Sequence, residues 1–394
     1  MPKRSIAGSL SSEVKSQETM RPSVSSETKE KRASEADLRG PGMRGLVLRS
    51  AREIDPIHDP GWRDFIEWHP RASIFHTPGW LEALRRTYGY RPLVLTTSRH
   101  SQEVTNGVVF CRVSSWLTGT RIVSLPFSDH CEPLVDGDEA LRSILAAVSG
   151  DSGRNGRVYV EMRPLEMDMA SFAGFSKSQS FCVHRLDLGL GLPDIFGGFH
   201  KDCVRRKIRR AEREGLSYEA GRSPELVEKF YRLLVLTRRR QLLLPQPLAW
   251  FKNLVACLGE RLKIHVVSRQ GQSVASILTL THKSTIVYKY GCSDKQFSNL
   301  GGTQMIFWKM IQDAKRIGLQ QLDMGRSDWN NLGLVRFKDR WGAARSNLSY
   351  WRYGAARAPR AEACWNSRIV RSVFGHAPGG FLTTTGALMY RHMG

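Results

Sequence analysis

Asp323, Arg326, Arg336, Lys338 and Arg340 fall within one stretch, "DMGRSDWNNLGLVRFKDRWGA", from Asp323 to Ala343. An acid and a guanidinium at the end of a strand, answered by cations on the next helix, suit an anionic substrate. They also suit a carbonyl oxygen that gains charge in a transition state. A solvated loop and a salt-bridged helix would use the same residues. Lys338 separates the two readings. Leu334, Phe337, Lys338 and Trp341 stand at i, i+3, i+4 and i+7, the spacing of one helical face. Burying an unpaired ammonium is costly, so Lys338 must meet either Asp323 or a substrate anion. Asp323 ends the apolar strand "QQLDMG" and is expected to line a cleft where neighbouring strands part. Arg336 and Arg340 point elsewhere and read as solvent charges.

Two further stretches could hold anions. "NLGGTQMIF" puts Gly301, Gly302 and Thr303 at the start of a helix, where free N–H groups and the helix dipole favour negative charge. The glycines could also simply turn the chain. "KDCVRRKIRRAERE" carries Arg205, Arg206, Arg209, Arg210 and Arg213 on the flank opposite Val204 and Ile208. Such a helix could follow a phosphate backbone. It has no interleaved aromatics for base stacking, and Glu212 and Glu214 also suit a solvated surface. His130 and Cys131 adjoin in "SDHCE", but neighbours on an extended strand face opposite ways, which argues against a Cys–His nucleophile.

The elements that would position these residues read as mixed α/β. "TPGWLEALRRTYGY" has Thr77 as N-cap and Pro78 at the first helical position, and "SPELVEKFYRLLVLTRRRQ" repeats this with Ser223 and Pro224. "GLVLRSA", "RPLVLTTSR", "GVVFCRVSS", "TRIVSLPF", "RVYVEMRP" and "FCVHRLDL" read as strands in a first half. In the second half "LKIHVVSR", "SVASILTLTH" and "STIVYKYGC" form a meander joined by short turns. The long helix "TQMIFWKMIQDAKRIG" follows, and "NLSYWRY" is a closing strand.

A chain of 394 residues exceeds one ordinary core, so two domains are expected. The net charge of +22 favours polyanionic partners without selecting one. The seven cysteines, Cys111, Cys131, Cys182, Cys203, Cys257, Cys292 and Cys364, stand singly, without zinc-ligand spacing. No signal-peptide pattern opens the chain and no apolar run is long enough to span a bilayer, so a cytoplasmic chain with reduced thiols is expected. Residues 1–43 lack core-forming content and read as a disordered tail. In the segment 355–394, "ACWNSRIVRSVFGHAPGGFLTTTGALMYRHMG" reads either as a tail packed loosely on its own domain, the commoner case, or as a short interfacial helix for peripheral contact with an anionic membrane face.

Several of these motifs together resemble the FemAB-like branch of the GNAT acyltransferase superfamily. They are "FHTPGWLEALRRTYGY", "SLPFSDHCEPL", "RRKIRRAEREGL", "YKYGCSD", "GGTQMIFWKMIQDAKRIG" and "LDMGRSDWNNLGLVRFKDRWGA", the last being the most specific. The resemblance covers most of residues 45–353. It implies two tandem GNAT-like domains, over 44–190 and 191–354, each a mixed, mainly antiparallel sheet flanked by helices. It implies an acyltransferase with no tightly bound cofactor and no metal, using acyl-CoA or aminoacyl-tRNA as co-substrate. Its acceptor would be an amine of a cell-envelope precursor or a sugar. Lys338, in the F-K motif, is implied to contact substrate and steady the carbonyl charge, with Asp323 and Arg326 beside it. Tyr290 and Phe337, the turn Gly301–Thr303, and Arg206, Arg209 and Arg210 are the implied binding residues. The turn departs from the family's Gln/Arg-x-x-Gly-x-Gly/Ala pattern, since Ser298 precedes Gly301 by three. Two rivals accompany the acyl-CoA reading: a peptidoglycan-bridge aminoacyltransferase fed by aminoacyl-tRNA, and a GNAT shell that binds nucleic acid without catalysis.

Overall fold

The computed structural model describes residues 50–100, 103–115, 119–152, 159–354 and 379–393. The tail expected over 1–43, most of "GLVLRSA" and residues 355–378 of the C-terminal tail lie outside the described residues.

The strands come in two sets. The first is β1 (Arg52–Ile54), β2 (Arg91–Thr96), β3 (Val108–Ser115), β4 (Gly119–Ser124), β5 (Tyr159–Met162) and β6 (Phe175–Asp187). The second is β7 (Ser217–Gly221), β8 (Leu262–Arg269), β9 (Gln272–His282), β10 (Thr285–Ser293), β11 (Gln321–Asp328) and β12 (Ala344–Tyr353). All join one sheet in the order β1-β2-β3-β4-β5-β12-β6-β11-β10-β9-β8-β7. The order is a palindrome about the β12–β6 pair. Each half runs outward through five strands, and the two sixth strands exchange places. Only β4–β5 and β10–β11 pair parallel. The two halves thus carry the same pattern, but they build a shared sheet rather than the separate sheets expected for two domains.

Local signals set the helices. Asp59 caps α1 (Pro60–Trp68), Thr77 caps α2 (Pro78–Tyr88) and Ser223 caps α6 (Pro224–Arg240), each by accepting a backbone N–H with proline in the first turn. α3 (Asp138–Ser152) covers β3–β5. α4 (Leu192–Gly198), α5 (Arg206–Arg213), α8 (Gly302–Arg316) and α9 (Leu332–Asp339) pack on one face of the second half around Phe199, Ile208, Phe307 and Trp341. α1, α2, α6 and α7 (Leu248–Leu258) fill the opposite face around Trp62, Trp80, Phe230 and Trp250. Alternate residues of β9 divide between the two cores, Ile277 to one and Leu278 to the other. A last helix, α10 (Gly379–Met389), buries Leu382 against Leu244.

Candidate active site

β10 and β11 pair over only three positions, Thr285–Val287 with Gln321–Asp323, and then diverge. Both strands are irregular at that point. β10 shifts register against β9 between Tyr288 and Tyr290, and β11 shifts against β6 between Asp323 and Arg326, with Gly325 at φ 69°. A β-bulge redirects the side chains that follow it.

The opening is filled from the first half. The segment after β4 brings Asp129 and His130 to the second half's strands. Arg163 fixes it, its Nη1 donating to Leu125 O (2.5 Å) while its Nη2 pairs with Glu161 (2.8 Å). Tyr350 of β12 donates its hydroxyl to Asp129 O (2.7 Å). The Asp129 carboxylate lies over Gly325, where an added Cβ would stand 3.2 Å from Oδ2. Lys289, in the β10 bulge, donates to Asp129 Oδ2 (3.0 Å), and Arg326 Nε lies 3.8 Å from Oδ1. Rings of Phe75, Trp80 and Tyr290 enclose the Lys289 ammonium at 5.2–5.8 Å from their centroids. Burial lowers the Lys289 pKa, and Asp129 opposes that shift.

Lys338 is buried, at 2% exposure, as its helical spacing requires. Its partner differs from the expected one. Nζ donates to Gly325 O (2.7 Å) and Arg326 O (3.1 Å), while Asp323 is committed elsewhere. Asp323 accepts from Gly325 N at Oδ1 (2.7 Å) and from His130 Nε2 at Oδ2 (3.1 Å). The β11 irregularity turns two carbonyls toward α9, so backbone rather than carboxylate meets the ammonium. Burial pulls the Lys338 pKa down to about 8, opposed by Asp129 and Asp323. Burial alone would raise the Asp323 carboxyl. The His130 hydrogen bond, then the Gly325 amide, outweigh it and leave the group below its ordinary value.

Arg326 is half-buried, its guanidinium over Phe181 (4.4 Å) and Tyr350 (5.2 Å). Phe337 packs edge-on to Phe307 and Trp341, and its placement is that of a core ring beside Lys338. Tyr290 accepts from Trp250 Nε1 (2.9 Å) in the helix-layer core. It is Lys289, one position earlier, whose charged end reaches the cluster. Gly301, the α8 N-cap at φ 85°, is pressed against the Lys207 carbonyl of α5. The turn Gly301–Thr303 therefore borders the basic helix. On that helix Arg209 is exposed, Arg206 lies 3.6 Å from Asp202, and Arg210 bonds Glu214 (3.3 Å). The structure brings Lys338, Asp323 and Arg326 together, and sets the glycine turn against α5 at Lys207.

Asp129, His130 and Lys289 join the site without having been expected from the sequence. The signal for two of them is present in "SDHCE" as an adjacent acid and histidine, though that motif first raises only a Cys–His pair. Cys131 faces away from Asp323, 3.4 Å from His76 Nε2, and burial pushes its thiol up to about 12.

Gly301→Ala is predicted to cost at least about 1–2 kcal/mol for the left-handed backbone alone. The added Cβ would also collide with the Lys207 carbonyl and part α8 from α5. Chemical denaturation checks this.

Residues 199–339 match the family model described as an acetyltransferase (GNAT) domain. No curated protein sequence matches the chain. Among solved structures, FemX aligns at a TM-score of 0.60 and 15% identity, covering 76% of this chain and 96% of FemX. A tandem GNAT protein from the clavulanic acid biosynthesis pathway aligns at 0.49 and 10%, covering 78% and 99%. L-PGS from Bacillus licheniformis aligns at 0.46 and 14%, covering 75% and 93%. The FemX likeness is the one that bears on the fold. Residues 199–339 thus match a GNAT acetyltransferase domain, and over most of its length the chain shares the fold of FemX.

Proposed function

We propose that the chain is an N-acyltransferase that moves an activated acyl group, from acyl-CoA, onto an amine of a cell-envelope precursor or a sugar. The observation that carries this reading is Lys338: a buried ammonium held by two backbone carbonyls where two parallel strands part. An ammonium has three donors. Two are occupied, and the third is left for the acyl carbonyl oxygen as the amine attacks. The acceptor attacks directly, so the protein contributes positioning and charge stabilisation rather than a nucleophile. Asp129, Lys289 and Arg326 set the field around the carbonyl, and the α8 N-terminus beside α5 is the anion site for the donor's phosphates. Replacing Lys338 and measuring turnover tests this.

One observation favours aminoacyl-tRNA as the donor instead. α5, whose Lys207 carbonyl meets the same turn, carries the exposed Arg206 and Arg209, which would suit a longer phosphate backbone. If RNA is bound there, affinity falls steeply with salt as counterions are released. Replacing Arg206, Arg209 and Arg210 together by Gln should then lower the slope of log K against log salt by roughly 2–3, at about 0.9 for each phosphate no longer neutralised. An unchanged slope would return α5 to a solvated surface and leave the acyl-CoA reading. Among the described residues no helix is long and apolar enough to cross a membrane. An envelope acceptor would bring the chain to the inner membrane face as a peripheral visitor, with the part of the C-terminal tail before α10 as the contact.

A further inference from the structure

A cavity of about 230 Å³ opens beside the paired start of β10 and β11, bounded by His130, Asp323, Arg185, His282, Ile74 and Val287. Three of the side chains lining it each hold a buried polar atom without a hydrogen-bond partner: His130 Nδ1, Arg185 Nε and His282 Nε2. Buried polar groups are nearly always paired, so three orphans around one cavity point to a missing occupant. Of the acids lining it, Glu132 and Asp323 are already committed, and Glu166 is exposed, 3.7 Å from Arg185 Nη1. Glu132 accepts the backbone N–H groups of Leu165, Glu166 and Met167 (2.5–3.1 Å), and Asp323 serves Gly325 and His130. A carboxylate only accepts, so the proton shared with Asp323 sits on His130 Nε2. In the neutral ring that leaves Nδ1 as an acceptor.

We infer that this cavity holds the acceptor substrate, a small polyhydroxylated amine of amino-sugar type, and that His130 Nδ1 receives the amine's proton. The inference rests on the acyltransferase reading. The size suits one sugar ring, because pockets for drug-sized ligands begin near roughly 300 Å³. The chemistry suits hydroxyl groups, which donate and accept and so can satisfy Arg185 Nε–H and His282 Nε2 alike. Ile74 and Val287 give an apolar wall for ring C–H groups. In the transfer the amine nitrogen forms the new C–N bond and its proton passes to His130 Nδ1. The C–S or C–O bond to the donor breaks with its electron pair on the leaving atom, and the imidazolium returns the proton there. Asp323 holds the ring in the required tautomer, and through Gly325 it adjoins the carbonyl that binds Lys338.

The test uses the full chain with D-glucosamine as probe and D-glucose as the amine-free control, titrated by saturation-transfer NMR. His130→Phe keeps a ring against Phe75 and removes the Nδ1 acceptor, and Arg185→Gln removes the second orphan. Glucosamine is expected to bind more tightly than glucose, and each substitution to weaken it about tenfold, the scale of one hydrogen bond at about 1.4 kcal/mol. Absence of glucosamine binding, or equal binding by wild type and both variants, would overturn the inference. A chain that binds glucosamine through these residues yet transfers no acyl group keeps the cavity and refutes the acyltransferase reading. Acyl transfer to an amine with an unchanged KM for that amine in both variants does the reverse.

Discussion

Lys338→Met is expected to lower turnover by roughly 10²–10³, the scale for losing one preorganised donor to a developing oxyanion, with little change in KM for the donor. The substitution keeps most of the apolar stem and removes the charge. It also leaves the Gly325 and Arg326 carbonyls without their donor, which costs roughly 1–3 kcal/mol of stability. Turnover and unfolding are therefore both measured. A variant as active as wild type would remove Lys338 from the chemistry. The pH dependence gives an independent sign. With the folded pKa lowered from 10.5 to about 8, catalysis that needs the ammonium falls as pH rises through about 8. Stability moves the other way. Between pH 8 and 10.5 the unfolded chain holds a proton that the folded chain has lost, so this group's contribution to stability rises across that window. Below pH 8 the ammonium is charged in both states and the contribution is flat.

The second large effect is expected at Lys289. Lys289→Met strands the Asp129 carboxylate, whose side chain is 16% exposed, leaving Arg326 at 3.8 Å as its nearest cation. Breaking a buried pair from one side costs about 3–5 kcal/mol. Adding Asp129→Asn removes the uncompensated charge and should recover most of the loss, since replacing both partners of such a pair is often neutral. Chemical denaturation of the single and double variants reads this directly. A double variant no more stable than Lys289→Met would mean that Asp129 is not held by Lys289.

What is legible in the sequence is local. Thr77 with Pro78 and Ser223 with Pro224 announce helix starts because a cap acts within one turn, and both helices begin there. The buried face of α9 is legible from spacing alone, which places Lys338 inside. The partner of Lys338 is not, because it depends on the β11 irregularity at Gly325, which exposes carbonyls that regular strand geometry would hide. Lys289 is hidden for the same reason: the bulge between Tyr288 and Tyr290 breaks the alternation that would make Tyr290 the more prominent residue. Asp129 and His130 lie about 190 residues from Asp323 in the chain, and only the exchange of β6 and β12 at the centre of the sheet brings the two halves that close. No periodicity within either half encodes that exchange.

The most direct measurement is mass spectrometry of amines incubated with the purified full chain and acetyl-CoA, with charged tRNA as the second donor. An N-acylated amine formed by wild type, and formed roughly 10²–10³ more slowly by Lys338→Met, is the predicted result. No acylated amine from either donor, or equal product from wild type and Lys338→Met, would contradict it.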